Sequence, residues 1–408
     1  MTVPSGRPGR AAAGAAGYDA VLLAGFGGPE GPDDVMPFLR NVTRGRGVPD
    51  ERLAEVAEHY LALGGISPIN AQNRALREHL EAALRSRGID VPVLWGNRNW
   101  SPYLSDAVRE AHAGGRRSLL AVATSAYSSY SSCRQYREDF AAALVDTDLL
   151  GALRIDKLRP YYDHPGFLAP FAEGLTVALG EAADAGLPTD RVRIVFTTHS
   201  IPLAMADASG TDADGRLYVE QHRAACAEVV RLVGLVGTDR GGGAACDAGP
   251  AWQLACQSRS GSPQIPWLEP DIGDVISGAA ASGAQGVIVV PIGFISDHVE
   301  VIWDLDTEAA AVAAEHDLWF RRVPTPGVHP DFVAALADLV AERLTKAADP
   351  IASTTGLPAR PGCCPAGCCR PRAVRPTTAG ADSAADWRDV DVDPGLLAGS
   401  GIAGTVRV

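Results

Sequence analysis

Short aliphatic runs alternate along the chain with longer stretches in which apolar residues recur at helical spacing. Candidate strands cover 19–25, 91–97, 118–125, 191–199, 286–293 and 318–324. Candidate helices cover 51–63, 71–87, 166–184, 216–234 and 331–346. Strands that are apolar almost throughout and alternate with helices are typical of parallel sheets covered on both faces. The pattern predicts an α/β fold built from two such units.

The chain has 408 residues, which suits two domains. We predict an N-terminal domain over 18–160, a C-terminal domain over 161–330, and a helix over 331–346 that returns to pack on the body. Residues 1–17, rich in Ala and Gly, are expected to be a disordered lead-in, and the Gly-rich stretch 237–250 a loop. Residues 347–408 lack core-forming periodicity and are interpreted as an extension rather than a domain.

The composition excludes several classes of function. No run of 18 or more apolar residues exists, so we expect no transmembrane segment. No signal-peptide stretch precedes the first strand, so we expect a cytoplasmic protein. We also expect the protein to be a monomer. A net charge of −13 argues against a nucleic-acid partner, although Arg44 lies in a local basic patch that could meet an anionic small molecule.

The first candidate for chemistry is His199, in the motif TTHSIP. It stands where a predicted strand ends and a loop begins. Open α/β sheets bind ligands outside the carboxyl ends of their strands, so this position favours a functional side chain. The alternative is a histidine that merely caps a helix or lies in a loop.

The second candidate is the segment GFISDHVEVIWDLDTE, residues 293–308. Glu300, Asp304 and Glu308 are four residues apart, which places three carboxylates along one flank of a helix. A solvated acidic face is the alternative. Apolar neighbours around Glu300 and the adjacent His298 favour a partly buried site, and mixtures of imidazole and carboxylate bind divalent metals.

Three loops could touch a ligand. The turn GFGGPEG at 25–31 lacks the GxGxxG spacing, and Pro29 removes a backbone donor, so we interpret it as a tight turn near a ligand rather than a nucleotide site. The segments SAYSSYSSCRQY (125–136) and GGISPIN (64–70) offer hydroxyl groups or aromatic faces to a flat ligand. Both could equally be polar loops.

Eight cysteines are present, and four of them crowd into the motif CCPAGCC at 363–369. A disulfide staple does not suit a cytoplasmic chain, and the spacing is neither that of paired zinc motifs nor that of a thioredoxin site. Four thiolates are compatible with iron–sulfur ligation. Because adjacent cysteines are awkward joint ligands, three of the four could bind. Cys256 is interpreted as a small buried hydrophobe.

Several of these motifs, taken together, resemble the ferrochelatases. GFGGPEGPDDVMPFLRNVTRGRG, HYLALGGISPIN, TTHSIP, WLEPDI and PIGFISDHVEVIWDLDTE occur in the family's order and span residues 17 to about 345. NVTRGRG and GNRNW look actinobacterial, and that branch acts on coproporphyrin III. The resemblance implies two similar Rossmann-like domains with parallel four-stranded sheets flanked by helices, a cleft between them, and no nucleotide.

The resemblance also implies the roles of individual residues. The metal-binding histidine falls on His199 and its partner on Glu300, with Asp304 and Glu308 continuing an acidic path for metal or protons. Phe26 stands where some relatives have a tyrosine that ligates iron, and Thr43 and His59 replace arginines. The implied porphyrin contacts are Phe26, Thr43, Arg44, His59, Tyr60, Ser67 and Tyr136.

Part of the family carries a [2Fe–2S] cluster with one cysteine from the body and three from a C-terminal extension. Cys133 matches the body ligand, and the other three would come from Cys363, Cys364, Cys368 and Cys369.

The expected function is insertion of Fe²⁺ into coproporphyrin III to form coproheme, in haem biosynthesis. A neutral His199 could coordinate the metal or accept a pyrrole proton, and Glu300, if desolvated, could take the second. The alternatives are a protoporphyrin IX ferrochelatase, a cobalt chelatase and a non-catalytic haem-binding protein.

Overall fold

A computed structural model describes residues 17–45, 47–235, 251–260, 264–345, 351–365, 367–370 and 377–378. The expected disordered lead-in lies outside these ranges except for Gly17. The predicted loop 237–250, which contains Cys246, and all of the extension beyond residue 378 also lie outside them.

Within the described residues, eight strands form two separate parallel sheets of four. The first contains β1 (Ala20–Gly25), β2 (Val93–Asn97), β3 (Ser118–Ala123) and β4 (Arg154–Lys157), in the order β2-β1-β3-β4. The second contains β5 (Val192–His199), β6 (Ala251–Gln257), β7 (Gly286–Val290) and β8 (Trp319–Arg322), in the order β6-β5-β7-β8. The order repeats, which confirms the predicted α/β class with two similar Rossmann-like units.

Helices connect the strands and cover both sheets. The first half contains α1 (Pro32–Val42), α2 (Asp50–Ala62), α3 (Ile69–Ser86), α4 (Leu104–Ala113), a π-helical turn (Tyr130–Arg134) and α5 (Gln135–Asp146). The second half contains α6 (Pro165–Asp184), a 3₁₀ turn (Thr189–Arg191), α7 (Leu203–Asp207), α8 (Leu217–Leu232), α9 (Ile272–Ala281), α10 (Val299–Val301), a π-helix (Ile302–Ala309), α11 (Ala310–Glu315) and α12 (Pro330–Thr345). No helix in these ranges combines the length and apolarity needed to cross a bilayer.

One continuous apolar core joins the two sheets. It includes inward faces of β1 and β5 together with residues of α3, α6, α8 and α12. Phe167 on α6 lies at its centre, fully buried, with its ring about 5 to 6 Å from the rings of Phe171 and Phe332. The outer faces are covered by α4 and α5 on the first sheet and by α9 and α11 on the second.

The hydrophobic pattern located six of the eight strands, and the five predicted helices correspond to α2, α3, α6, α8 and α12. Strands β4 and β6 were missed. Both are edge strands, and β4 consists of the residues RIDK, three of them charged. An edge strand keeps one side open to solvent, so it does not need the aliphatic run by which central strands are recognised.

Replacing Phe167 with Ala should destabilise the protein by about 3 to 5 kcal/mol, because the cavity would open between packed aromatic rings in the shared core. Urea unfolding would measure the change. Val177→Ala on the same helix is the matched control, since Val177 is 55% exposed, and it should cost about 0.5 kcal/mol or less. Equal losses in the two variants would contradict the assignment of α6 to the core.

Candidate active site

The repeated strand order creates a switch point in each sheet, where successive connections leave in opposite directions. In the second sheet this point lies between β5 and β7. Ligands bind outside the carboxyl ends of strands at such points. His199 is the last residue of β5, and the loop that follows β7 leads to Glu300. The two residues predicted as partners therefore flank the switch point.

A glycine lets the loop after β7 lie directly against the end of β5. The Gly293 amide donates to the Thr197 carbonyl oxygen at 3.0 Å. A Cβ atom at position 293 would lie only 2.5 Å from Thr198 Oγ1, closer than any side chain tolerates. The absence of a side chain at Gly293 thus sets how closely the segment carrying Glu300 approaches His199.

The His199 ring has a defined tautomer. Its Nδ1 lies 2.5 Å from the Ser200 carbonyl oxygen, which can only accept, so Nδ1 carries the hydrogen. In the neutral ring Nε2 then keeps its lone pair, and this nitrogen lies 3.7 Å from Glu300 Oε2. The side chains of His199 and Glu300 are 32% and 41% exposed, so a substrate can reach both.

Glu300 lies close to two imidazoles. Besides His199, His298 has its Nδ1 4.0 Å from the same carboxylate oxygen. Burial lowers the pKa of His298, which keeps that ring neutral at physiological pH. The site therefore places two imidazoles close to one carboxylate, side-chain types that bind divalent metals, although the three do not converge as the ligands of a single bound ion.

The predicted acidic flank exists, but the helix that carries it is not a regular α-helix. Glu300 lies in α10, and Asp304 and Glu308 lie in the π-helix that follows. Glu300 and Asp304 are half-buried and Glu308 is exposed, so the carboxylates lead from the cleft to the surface. The Trp303 indole donates to Glu308 Oε1 at 2.8 Å, five residues on, as π-helical spacing permits.

Asp304 is held by the end of strand β6, which the sequence did not reveal. The Ser258 hydroxyl donates to Asp304 Oδ2, and Gln257 Nε2 lies 3.4 Å from the same oxygen. Burial raises the pKa of Asp304 to about 7, although the Ser258 hydrogen bond opposes the shift. Asp304 can therefore gain and lose a proton near neutral pH, unlike a carboxylate on a solvated face.

Aromatic residues of the first domain face this acidic helix. The His59 ring stacks on Trp303 with centroids 4.3 Å apart and planes 9° apart. The pKa of Tyr60 is raised, first by burial and then by the negative charges of Glu300 and Asp304. Tyr60 therefore lies within electrostatic range of both carboxylates.

Phe26 extends the same aromatic surface. It is exposed and packs edge-on against Phe38, whose ring lies 5.9 Å from that of Tyr60. Three predicted porphyrin contacts, Phe26, His59 and Tyr60, thus come together.

The other predicted porphyrin contacts have different surroundings. Arg44 is exposed just beyond the end of α1, and Thr43 donates its hydroxyl hydrogen to the Leu39 carbonyl oxygen. Ser67 is buried, and its amide donates to Pro29. Tyr136 is also buried, with the Arg98 guanidinium 4.7 Å above its ring. Ser67 and Tyr136 are covered by protein, and their contact with a porphyrin stays a prediction.

The body cysteine and the tail cysteines lie together. Cys133 Sγ is 3.9 Å from Cys364 Sγ, and Cys368 Sγ is 3.7 Å from Cys369 Sγ. Cys364 and Cys368 are also within hydrogen-bonding reach of each other, whereas Cys363 is exposed. Among the residues described, no three histidine, cysteine, aspartate or glutamate side chains converge as a single metal ion would require.

Buried cations surround these thiols. Lys157 and Arg137 are nearly inaccessible and act electrostatically on Cys133 and Cys364. Arg134 donates to the Cys368 carbonyl oxygen at 3.2 Å. Hydrogen bonding among the sulfurs and burial raise the pKa of the Cys133 and Cys364 thiols above its ordinary value, and they outweigh Lys157 and Arg137, which lower it. Four neighbouring thiols arranged as two close pairs fit a binuclear cluster, which needs four cysteine ligands.

Known proteins resemble this chain over most of its length. The family model described as ferrochelatase matches residues 18–344. A coproporphyrin III ferrochelatase of Leifsonia xyli subsp. xyli is 55% identical over 365 residues, covering 85% of this chain and 91% of that protein. One of Streptomyces coelicolor is 51% identical over 378 residues, covering 90% and 97%. The solved structure of SirB from Bacillus subtilis with Fe3+ matches at a TM-score of 0.44 and 14% identity, over 80% of this chain and 96% of that one. This chain belongs to the ferrochelatase family.

Proposed function

We propose that this protein inserts ferrous iron into coproporphyrin III to form coproheme in haem biosynthesis. The observation that carries the proposal is the pair formed by His199 and Glu300, whose Nε2 and Oε2 atoms lie 3.7 Å apart beyond the carboxyl ends of β5 and β7. The names of the two relatives, which align over nearly their whole length, support coproporphyrin III as the substrate.

Metallation exchanges two pyrrole N–H protons for Fe²⁺ and removes water from the ion. His199 suits the proton transfer, because Nδ1 is committed to the Ser200 carbonyl and Nε2 keeps its lone pair. We assign Nε2 as the first acceptor and Glu300 as the next group in line. Asp304 then passes protons outward towards Glu308, since a carboxyl group with a pKa of about 7 both accepts and releases protons at neutral pH.

The porphyrin would lie against Phe26 and His59, beside the acidic helix, with the buried Tyr60 packed beneath them. Flat aromatic faces suit a flat macrocycle. Phe26 has no phenolate, so no oxygen ligand to iron comes from that position. Arg44 is exposed and cationic, and it is the residue we assign to a propionate.

A metallation assay with purified protein tests the proposal, using Fe²⁺ with either coproporphyrin III or protoporphyrin IX. Coproporphyrin III should react roughly tenfold faster or more, because it carries propionates where protoporphyrin IX carries vinyl groups, and a charged hydrogen bond contributes about 1.5 to 3 kcal/mol. His199→Ala should lower the rate about 100-fold or more while binding porphyrin normally. Fluorescence quenching reports binding separately from turnover.

His316→Ala is the matched control, since His316 is exposed on the outer face and contacts Ser277. It should turn over like the unaltered protein. Near-normal turnover by His199→Ala would exclude the assigned role. Replacing Fe²⁺ with Co²⁺ in the same assay tests the cobalt chelatase, and binding without metallation of either porphyrin would indicate a haem-binding protein.

The rate should depend on pH through Asp304. Burial raises its pKa to about 7, so the group is mainly protonated below that pH and ionised above it. Only the ionised form can accept the next proton, and the rate should therefore rise as pH increases through about 7. Asp304→Asn should remove this inflection and lower the rate roughly tenfold or more.

Asp306→Asn provides the control for this variant, because Asp306 lies in the same π-helix but pairs with Arg322. Its pH profile should match that of the unaltered protein. Persistence of the inflection in Asp304→Asn would assign it to another group.

We also propose that Cys133, Cys364, Cys368 and Cys369 hold a [2Fe–2S] cluster. The two close sulfur pairs and the buried cations Lys157 and Arg137 support it, since four thiolates bring negative charge into a buried site. When bound, the cluster would supply one-electron redox chemistry and join the C-terminal segment to the body.

Adjacent cysteines provide the test of this ligand set. Cys364→Ser should abolish the cluster's visible absorption in anaerobically purified protein, together with its iron and sulfide content. Cys363→Ser should leave all three unchanged, because Cys363 is exposed. A colourless, iron-free preparation of the unaltered protein would refute the cluster, and loss on Cys363→Ser would refute the choice of ligands.

A further inference from the structure

Tyr218, at the start of α8, is hydrogen-bonded to the end of the strand that carries His199. Its hydroxyl donates to the His199 carbonyl oxygen at 2.9 Å and lies 2.8 Å from Thr198 Oγ1. Tyr218 is buried, and neither of these two hydrogen bonds is made to a carboxylate of the cleft. Its contacts are those of a residue that fixes the backbone of the metal-handling histidine.

The direction of these hydrogen bonds follows from His222, one turn along α8. His222 Nδ1 lies 2.6 Å from the Tyr218 carbonyl oxygen, so Nδ1 carries a hydrogen. Burial lowers the pKa of His222 to about 3, and its Nε2 is therefore an acceptor, which takes the Thr198 hydroxyl hydrogen at 2.9 Å. Because Thr198 donates its own hydrogen to His222, the single hydroxyl hydrogen of Tyr218 is shared between the His199 carbonyl oxygen and Thr198 Oγ1.

The loop 209–216 in turn sets the position of Tyr218. Ser209 Oγ accepts from the Tyr218 amide at 2.9 Å, which satisfies a donor at the helix start. Asp214 closes the loop by accepting from the Thr211 amide and hydroxyl at 2.9 and 2.8 Å. A movement of Asp214 would therefore reach Tyr218 through a short run of hydrogen-bonded backbone.

The C-terminal segment, which includes Arg360 and Cys369, is hydrogen-bonded to this loop at two points. Arg360 donates to both carboxylate oxygens of Asp214, at 2.9 and 3.1 Å, and the two side chains are only 13% and 24% exposed. Cys369 exchanges two hydrogen bonds with Gly210, through its amide at 2.6 Å and its sulfur at 3.3 Å. A paired guanidinium and carboxylate fix orientation as well as distance.

We propose that Tyr218 is a positioning residue for His199, and that Arg360 of the C-terminal segment holds it in place through Asp214. The proposal rests on the proposed metal-handling role of His199. A small displacement of a reacting group lowers the reaction rate by a large factor. A residue that holds the reacting group in place therefore affects the turnover rate.

Tyr218→Phe tests the first link, because it removes the hydroxyl group and keeps the ring. Metallation by this variant should show a rise in KM for Fe²⁺ or a fall in kcat, together about 10- to 100-fold in kcat/KM, as for partners that orient metal ligands. The dissociation constant for coproporphyrin III should stay unchanged. A general loss of structure would weaken porphyrin binding as well, so the two readouts separate positioning from folding.

Arg360→Ala tests the second link, and Arg360→Lys should recover only part of the loss because it cannot bind both oxygens. Thr354→Ala is the matched control: it removes another bond between the same segment and the body, to the Asp163 carbonyl oxygen, without touching the loop. It should leave kcat/KM for Fe²⁺ unchanged. The double variant Tyr218→Phe/Arg360→Ala should lose no more than Tyr218→Phe alone, since both changes act through one support.

The outcomes separate this inference from the function on which it rests. If His199→Ala is inactive while Tyr218→Phe and Arg360→Ala turn over normally, the positioning role is wrong and the proposed function stands. If His199→Ala is active, the proposed function fails first. Additive losses, a loss matched by Thr354→Ala, or a loss of protein-bound iron that accounts for the Arg360→Ala effect would each overturn the inference.

Discussion

The distance between the loop after β7 and the end of β5 controls the whole site. Gly293 makes that approach possible, because a side chain there would overlap Thr198. Five to seven residues further on, the same loop delivers His298 and Glu300, while the strand it touches ends in His199. The pair is therefore not positioned by contact between its own side chains. It is positioned by backbone packing at a point where two parallel strands end.

The buried polar groups near this point differ in whether they have hydrogen-bond partners. Thr198 and His222 satisfy each other in a hydrogen-bonded network with Tyr218. By contrast, Thr197 Oγ1 and Gln257 Oε1 are buried without a hydrogen-bond partner among the described residues. Leaving such atoms unpaired costs free energy, and natural proteins tolerate that cost mainly at functional sites. The fully paired network lies behind His199, whereas Gln257 lies beside Asp304 of the acidic helix.

The sequence was sufficient to predict the features that lie on strands or at the ends of strands. His199 was found because an apolar run stops there, and the carboxyl ends of parallel strands meet at one edge. The spacing of Glu300, Asp304 and Glu308 predicted an acidic flank but not its π-helical form, because a π-helix of 8 residues is too short for its wider period to be distinguished from that of an α-helix. Ser258, which holds Asp304, was missed together with β6, since its partner is distant in sequence and its strand lies at an edge. Cys133 was matched to the tail cysteines by resemblance, not by any local pattern.

The C-terminal segment was interpreted as an extension without the periodicity of a core, yet its described residues are closely held. Ile351 and Leu357 pack against the shared core, and hydrogen bonds reach separate parts of the body: Thr354 bonds to Asp163, Gly362 to Arg343, and Arg360 to Asp214. A segment attached by such bonds has less cooperative stability than a helix in the shared core, and it opens at lower free energy. Because one of these bonds holds the loop that supports Tyr218, the C-terminal segment is linked through that loop to the backbone of His199.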